Sequence, residues 1–458
     1  MSPLQHLVRY GIPAEHKYLL GEFLDTYDLL VLNATAVAYM PAAIASLITQ
    51  KALRKPYFID PQTHIFQHGA GAIETTTDKG KSTIKRSIKL IVEAYGEPIK
   101  SRVGQKRLAI LPADFRDLKV RAGFCERVIR FQAEALNDAL KRSDAAKYYR
   151  FLERKKGTEV GSISPRYVVA PYFFLSPSTL ADWLEINIAC AGDSIRAASK
   201  WKIPLAVQVV LSREVLTNQN LRETLKTQYT SRTRPEVFLV WVDAFSEQRA
   251  SEDELVALVD LFRGLGKTAP VINLYGGFFS IAAARLGVIE ELVGVTHGLE
   301  YGEDRPILPV GGGIPTAKFY LPVLHARLAF RDAVRAVRRL NGFKSAEDFH
   351  EKVCDCRECR RAIVKDPETE FAQYGETRPI AFSRRGATVV REFPLPETRD
   401  RSVRHYMWSK DREYRAHISQ EALLRELKRA SSDLGGVLGL DSTKHCEIWA
   451  RVLSRSGG

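Results

Sequence analysis

EVFLVWVDAFSEQRASEDELVALVDLFRGLGKTAPVINLYGG, residues 236–277, carries the alternation that decides the fold. It opens on a run of Val, Phe, Leu and Trp without polar alternation, the pattern of a strand buried on both faces. SEDELVALVDLFRGLG (251–266) follows, with an acidic first turn, an apolar periodicity of three to four and a closing Gly, as a capped helix has. APVINLYGG (269–277) then returns to a buried strand.

Outward from this unit the pattern repeats. Apolar runs occur at LLVLNATAV (29–37), PYFIDP (56–61), RLAILP (107–112), RYVVAPYFFL (166–175), PLAVQVVL (204–211) and LVGVTHG (292–298). SPSTLADWLEINIACAGDSIRAASKW (176–201) reads as another amphipathic helix. Alternating strands and helices specify an α/β fold with a parallel sheet. About eight strands over some 300 residues is what a (β/α)8 TIM barrel needs. An open doubly wound sheet is the alternative, but no GxGxxG or Walker loop opens a helix. The alternation breaks at a basic stretch, 78–107, with Lys79, Lys81, Lys85, Arg86, Lys89, Lys100, Arg102, Lys106 and Arg107. It breaks again near residue 340, where the chain becomes charged and cysteine-bearing. The expected organisation is a barrel over 1–340, with the basic insertion, and a zinc-binding, C-terminally helical subdomain over 341–458.

The 458 residues exceed one ordinary compact domain and suit a barrel with additions. Hydrophobic residues at 45% and charged residues at 27% argue against disorder. A formal charge of +14 favours polyanionic partners, because Lys and Arg displace counterions from phosphates. Six cysteines, three of them within six residues, are no disulfide framework. The first twenty residues lack the apolar core of a signal peptide, and no apolar run is long enough for a bilayer. A cytoplasmic protein without a membrane partner is expected.

In a barrel, chemistry gathers where strands end. That rule selects Asn33 after LLVL, Asp60 after PYFI, Asp243 after VFLVWV, Gly276 and Gly277 after VINLY, and His297 after VGVT, with Gln208 inside PLAVQVV. Charged Asp60 and Asp243 at the ends of apolar strands are costly unless paired or facing a cavity. Two such carboxylates can divide nucleophile and acid–base roles, or each can cap a turn. His297 can contact substrate or join a loop network with Glu300, Glu303, Asp304 and Arg305. The paired glycines permit close backbone approach to a ligand or simply tight turns.

CDCREC (354–359) places Cys354, Cys356 and Cys359 in one short loop. Three thiolates are strong zinc ligands, and a tetrahedron needs a fourth. His405, His417, His445 and Cys446 are the downstream candidates. His405 stands in RSVRHYMWSKDREYRAH, which reads as the start of a helix able to fold back on the loop. Three Cys and one His close the site, so the zinc is expected to be structural.

CDCREC with a later His405, LLVLNATAVAYMP followed by KPYFIDPQTHIFQ, and PLAVQVV together resemble the tRNA-guanine transglycosylase superfamily over roughly residues 25–425. These are TIM barrels with a zinc subdomain that exchange a base at an N-glycosidic bond. The resemblance matches Asp60 to the aspartate of DSGGFQ, Gln208 to the glutamine of IVQGG, and Cys354, Cys356, Cys359 and His405 to the zinc ligands. The chain departs from the pattern at several points. PQTHIFQ lacks paired glycines, and YVVAPYFFL lacks the base-recognising aspartate. VGVTHGLEYGEDR stands where the nucleophilic aspartate and PTR segment occur, and the interval from Cys359 to His405 is longer. FIDPxT and HGxxYGE look similar to the divergent branch that inserts 7-deazaguanines into DNA. The resemblance implies a Zn2+ ion and, as partners, DNA (with tRNA as the alternative), a 7-deazaguanine base and helper proteins of ATPase or nuclease-like type. Asp243 becomes the candidate nucleophile by position and chemistry, with Asp60 handling protons; the alternative to an enzyme is a non-catalytic barrel that binds nucleic acid. Asn33, Gln208, Gly276, Gly277 and His297 become candidates for substrate binding. Phe66, Tyr172 and Phe173 are available to stack on an extruded base, and 78–107 to track phosphates.

Overall fold

The computed structural model describes residues 4–11, 15–19, 21–49, 55–76, 81–142, 163–299, 302–308, 316–384, 387–417 and 419–455. Lys79, Glu300, Tyr301 and the VGGGIP segment (310–315) lie outside the described residues.

Eight parallel strands form one sheet: β1 Gln5–Arg9, β2 Leu29–Asn33, β3 Tyr57–Asp60, β4 Val168–Val169, β5 Leu205–Leu211, β6 Val237–Val242, β7 Val271–Asn273 and β8 Leu292–Gly298. Their spatial order is β3-β2-β1-β8-β7-β6-β5-β4. A parallel bridge between Phe58 and Tyr167 brings the two end strands together. Neighbours in space are therefore neighbours in sequence all the way round, and the order never reverses as it does in an open doubly wound sheet. The result is a nearly closed, TIM-like (β/α)8 barrel.

The strands run apolar because both faces are covered: Leu205–Leu211 and Val237–Val242 are buried at every position. In parallel strands paired residues share a face, so the register sorts each strand into inward and outward positions. Leu7, Leu29, Val31, Phe58, Val169, Ala206, Val210, Leu239, Trp241 and Ile272 belong to one interior cluster. Helices such as Leu118–Arg142, Leu180–Trp201 and Gln219–Arg232 follow the strands and cover the outward face.

Seven of the eight apolar runs become barrel strands, and RLAILP does not. Arg107 adopts a positive φ of 58°. Leu108 and Leu111 remain 50% and 47% exposed. The segment instead leads into the 3-10 turn Pro112–Phe115, with Ile110 N–H donating to the Phe66 carbonyl. The missing strand is β1, HLVR behind a polar start, which pairs with both β2 and β8.

The chain divides into two compact units. The first comprises Met1–Phe245, Ala257–Gly276 and Ile289–Pro309, and so holds the barrel strands. The second gathers Ser246–Val256, Gly277–Val288 and Val310–Gly458. It contains the hairpin β9 Lys318–Leu321 with β10 Ala326–Ala329, the longer hairpin β11 Thr377–Arg384 with β12 Ala387–Pro394, and the helices Phe330–Arg339, Ala346–Lys352, Arg357–Ala362, Pro396–Arg415, Gln420–Leu438 and Leu440–Ser454. Among the described residues no helix is long and apolar enough to cross a membrane.

Candidate active site and metal centre

Asn33 and Asp60 are direct register partners at the carboxyl ends of β2 and β3, on the inward face. Arg9 ends β1 on the same face, paired with Val31. Its Nη1 donates to Asn33 Oδ1 at 2.6 Å and to Asp60 Oδ2 at 3.0 Å. Arg9 and Asp60 are both buried, at 3% and 1% exposure, so this ion pair is screened little by solvent. Burial opposes the Arg9 charge, but Tyr275 and Asp60 outweigh it and hold the guanidinium protonated. Its Cζ lies 4.7 Å from the Tyr275 ring centroid.

The segment after Asp60 explains why PQTHIFQ replaces a glycine turn. Gln62 takes a left-handed φ of 53°, and its backbone N–H returns to Asp60 Oδ1 at 3.0 Å. Its side chain accepts from the Thr35 N–H and hydroxyl at 3.1 and 2.8 Å. Thr63 Oγ1 donates to the Tyr172 carbonyl at 2.6 Å and accepts the Tyr172 N–H at 2.9 Å. Gln67 clamps Phe174 in the same reciprocal way. Side-chain amides and hydroxyls thus staple the loop after β3 to the loop after β4.

Tyr172 donates its hydroxyl to Asp60 Oδ1 at 2.5 Å, and the Tyr172 hydroxyl oxygen lies 3.0 Å from His64 Nδ1. The Ile307 backbone stands beside His64 and favours its charged form. The Ile307 N–H in turn donates to Asp243 Oδ1 at 2.8 Å. Hydrogen bonds therefore link Arg9, Asp60, Tyr172 and His64 in one chain, and a separate bond from the Ile307 N–H holds Asp243. Burial lowers the His64 pKa to about 4, against the opposing charge of Asp60, so the ring is neutral near pH 7. His64 stacks on Tyr172 at 5.3 Å and meets Trp241 edge-on at 5.2 Å.

The two aspartates differ in how far they are committed. Both Asp60 oxygens are engaged by Arg9, Tyr172 and Gln62. Asp243, half-exposed, accepts the Ile307 N–H with one oxygen, the other makes no hydrogen bond among the described residues, and its charge acts on nearby His68. Gln208 pairs with Leu239 and so faces the interior; it is 1% exposed, and neither amide atom has a partner among the described residues.

The other sequence candidates make different contacts. His297 pairs with Val8, the outward register, and its Nε2 lies 2.7 Å from Nε2 of His6. Gly276 has no room for a side chain: a Cβ would stand 2.5 Å from Asn273 Nδ2 and 2.6 Å from Val295 Cγ1. Gly277, in the second unit, caps the helix Phe278–Arg285, its N–H donating to Glu247 Oε2 at 2.9 Å. Phe66 and Phe173 are fully buried against Tyr95 and against Phe115 and Trp183. Sequence reasoning missed Arg9 and His64, and it read Tyr172 only as a stacking ring. The one signal for Arg9 was a cation following the apolar pair Leu7 and Val8.

In the second unit, Cys354, Cys356, Cys359 and His405 are buried with their ligand atoms all within 4.8 Å of one another. His405 Nδ1 lies 3.8, 3.3 and 3.3 Å from the sulfurs of Cys354, Cys356 and Cys359. Those separations are the edges of a tetrahedron around an ion with metal–ligand bonds of about 2.0–2.3 Å. Cys356 also caps the helix Arg357–Ala362, its sulfur accepting the Cys359 N–H at 3.4 Å. His405 sits in the middle of Pro396–Arg415, not at a helix start. Its Nε2 donates to the Tyr320 carbonyl at 2.6 Å, which leaves the Nδ1 lone pair toward the sulfurs. Phe319 stacks on the ring at 4.1 Å. His445 instead meets the Leu324 carbonyl. This is a closed Cys3His metal-binding group whose donor set suits zinc.

No protein-family model matches this chain, and no curated protein matches it.

Proposed function

We propose that this protein is a base-exchange glycosyltransferase that replaces guanine in DNA with a 7-deazaguanine derivative. The observation that carries this reading is the pair of strand-end aspartates, one fully engaged beside Tyr172 and His64 and one with an oxygen free of hydrogen bonds. Asp243 attacks C1′ with its uncommitted oxygen. The C1′–N9 bond breaks as the C1′–O bond forms, and guanine leaves with the bonding pair and takes up a proton. The incoming base gives its N9 proton to the Asp60–Tyr172–His64 group and displaces the carboxylate, which restores Asp243. Gln208 contacts the base. A duplex substrate requires the guanine to be flipped out of the stack. Lys85, Lys89 and Lys106 are exposed and carry no ion pair among the described residues, which suits them to phosphates. Zinc held by Cys354, Cys356, Cys359 and His405 would cross-link its subdomain and supply no chemistry to the exchange.

The test is incubation of the full chain with guanine-containing DNA, or with tRNA, and a labelled 7-deazaguanine base. Label in DNA is expected. Label in tRNA alone moves the substrate to RNA, and label in neither polymer overturns the enzyme reading. Asp243→Ala is expected to reduce exchange at least a hundredfold with an unchanged melting temperature; an active variant removes Asp243 from the nucleophile role.

A further inference from the structure

Three buried, inward-facing residues of the barrel carry polar groups without hydrogen-bond partners among the described residues. They are Nε and Nη2 of Arg9, the whole amide of Gln208, and Oγ1 of Thr296. All three residues are at most 3% exposed, and their register partners Val31, Leu239 and Leu7 belong to the interior cluster. Buried donors and acceptors are rarely left unpaired, because desolvation is then uncompensated. Arg9 closes its strand at the carboxyl end, the end at which a barrel binds its ligands.

Arg9 says what kind. Its Nη1 is consumed by Asn33 and Asp60. The Nε–H and Nη2–H bonds lie parallel on the opposite, side-on edge of the guanidinium, the fork that binds two coplanar acceptors at once. Asn33 and Asp60 fix the fork from behind, and Tyr275 fixes it from one face. A single carbonyl would leave one donor unmet. A purine with acceptors at both O6 and N7 satisfies the pair, and among the bases only guanine presents both on one edge.

We infer that Arg9 is a specificity-determining residue that reads the O6/N7 edge of the outgoing guanine. This rests on the base-exchange reading above. It also gives the exchange a direction. As the C1′–N9 bond breaks, the negative charge on the leaving base spreads to N7 and O6, where the fork stabilises it. A 7-deazaguanine carries carbon at position 7 and cannot accept the second hydrogen bond. The incorporated base is therefore a poorer leaving group in this site than the guanine it replaced, and the product persists.

The experiment compares binding of 9-methylguanine and 9-methyl-7-deazaguanine, which differ by one atom at position 7, to the full-length protein. The wild type is expected to prefer 9-methylguanine about tenfold or more, the discrimination a bidentate arginine pair provides. Arg9→Lys keeps the charge beside Asp60 but has no fork, and the preference is expected to fall to near unity. Equal binding of the two bases by the wild type overturns the inference, as does binding of neither. So does a preference that survives in a folded Arg9→Lys protein. The wild-type comparison stands even where the variant does not fold. Failure of the two readings is distinguishable. Exchange into DNA without the binding preference removes the fork's role and leaves the function. A preference lost in Arg9→Lys, with no incorporation into any polymer, keeps the fork and removes the function.

Discussion

Tyr172 is the residue on which the candidate site turns, since its hydroxyl links Asp60 to His64. Tyr172→Phe keeps the ring packed but leaves the buried His64 Nδ1 facing a hydrocarbon edge. Stability is expected to fall by about 1–3 kcal/mol, the cost of one orphaned buried group, read as a shift in denaturant midpoint at constant slope. An unchanged midpoint would show that water or another group takes over the contact. The same residues show what a sequence discloses. Asn33, Asp60 and Asp243 were legible because a polar residue closing an apolar strand needs a reason. The facing of His297 was not, because a strand-end side chain points in or out by a parity that neighbouring strands set. Here the pairing of Val8 with His297 turns it outward. Arg9 was hidden for a related reason: β1 is five residues long, and only its pairing with β2 and β8 makes it a barrel strand.

Among the elements, the metal-bearing loop depends on distant sequence. The cysteines were legible because their spacing is local. The fourth ligand was not unique in sequence, since four candidates followed. The fold selects His405 by bringing the Pro396–Arg415 helix and the β9 strand to the loop, with the Tyr320 carbonyl orienting the ring. The short helix Arg357–Ala362 is capped by the Cys356 sulfur, so losing that sulfur removes a metal ligand and a cap together. Cys356→Ser is expected to drop bound zinc well below one per chain in metal analysis and to make residues 354–362 exchange amide hydrogens faster. Zinc retained at one per chain would exclude Cys356 as a ligand. RLAILP is the contrary case at this scale. Its composition is that of a strand, but the positive φ at Arg107 and the turn at Pro112 commit it to a connection. Composition cannot report such a backbone choice.

At the scale of the whole molecule, charge governs behaviour in two ways. With a formal charge of +14, binding to DNA as proposed is expected to be steeply salt-dependent. Removing Lys85, Lys89 and Lys106 together is expected to flatten the slope of log affinity against log salt by up to about 2.7, roughly 0.9 for each lost phosphate contact on B-DNA. An unchanged slope would put the phosphate track elsewhere. The second effect is acid sensitivity. Burial lowers His64 and His445 to about 4, while an unfolded chain titrates them near 6.5. Between those values the unfolded state holds more protons than the folded one, so stability must fall as the pH drops from about 6.5 towards 4. Each histidine contributes at most about 1.4 kcal/mol per pH unit. Glu413 extends the loss downward. Burial alone would raise its pKa, but Lys410 and His325 hold it at about 2, so its contribution is present above about 4.5 and disappears as the pH falls through 2. Urea midpoints measured from pH 7.5 to 4.5 should therefore decline below about 6.5. His64→Gln should decline less steeply than the wild type, whatever its starting stability. Comparing the two slopes cancels acid release of metal from the Cys3His group, which both proteins share. Parallel slopes would mean that His64 titrates normally in the folded chain and is open to solvent, and the neutral ring assigned to the Tyr172–His64 path would then be lost.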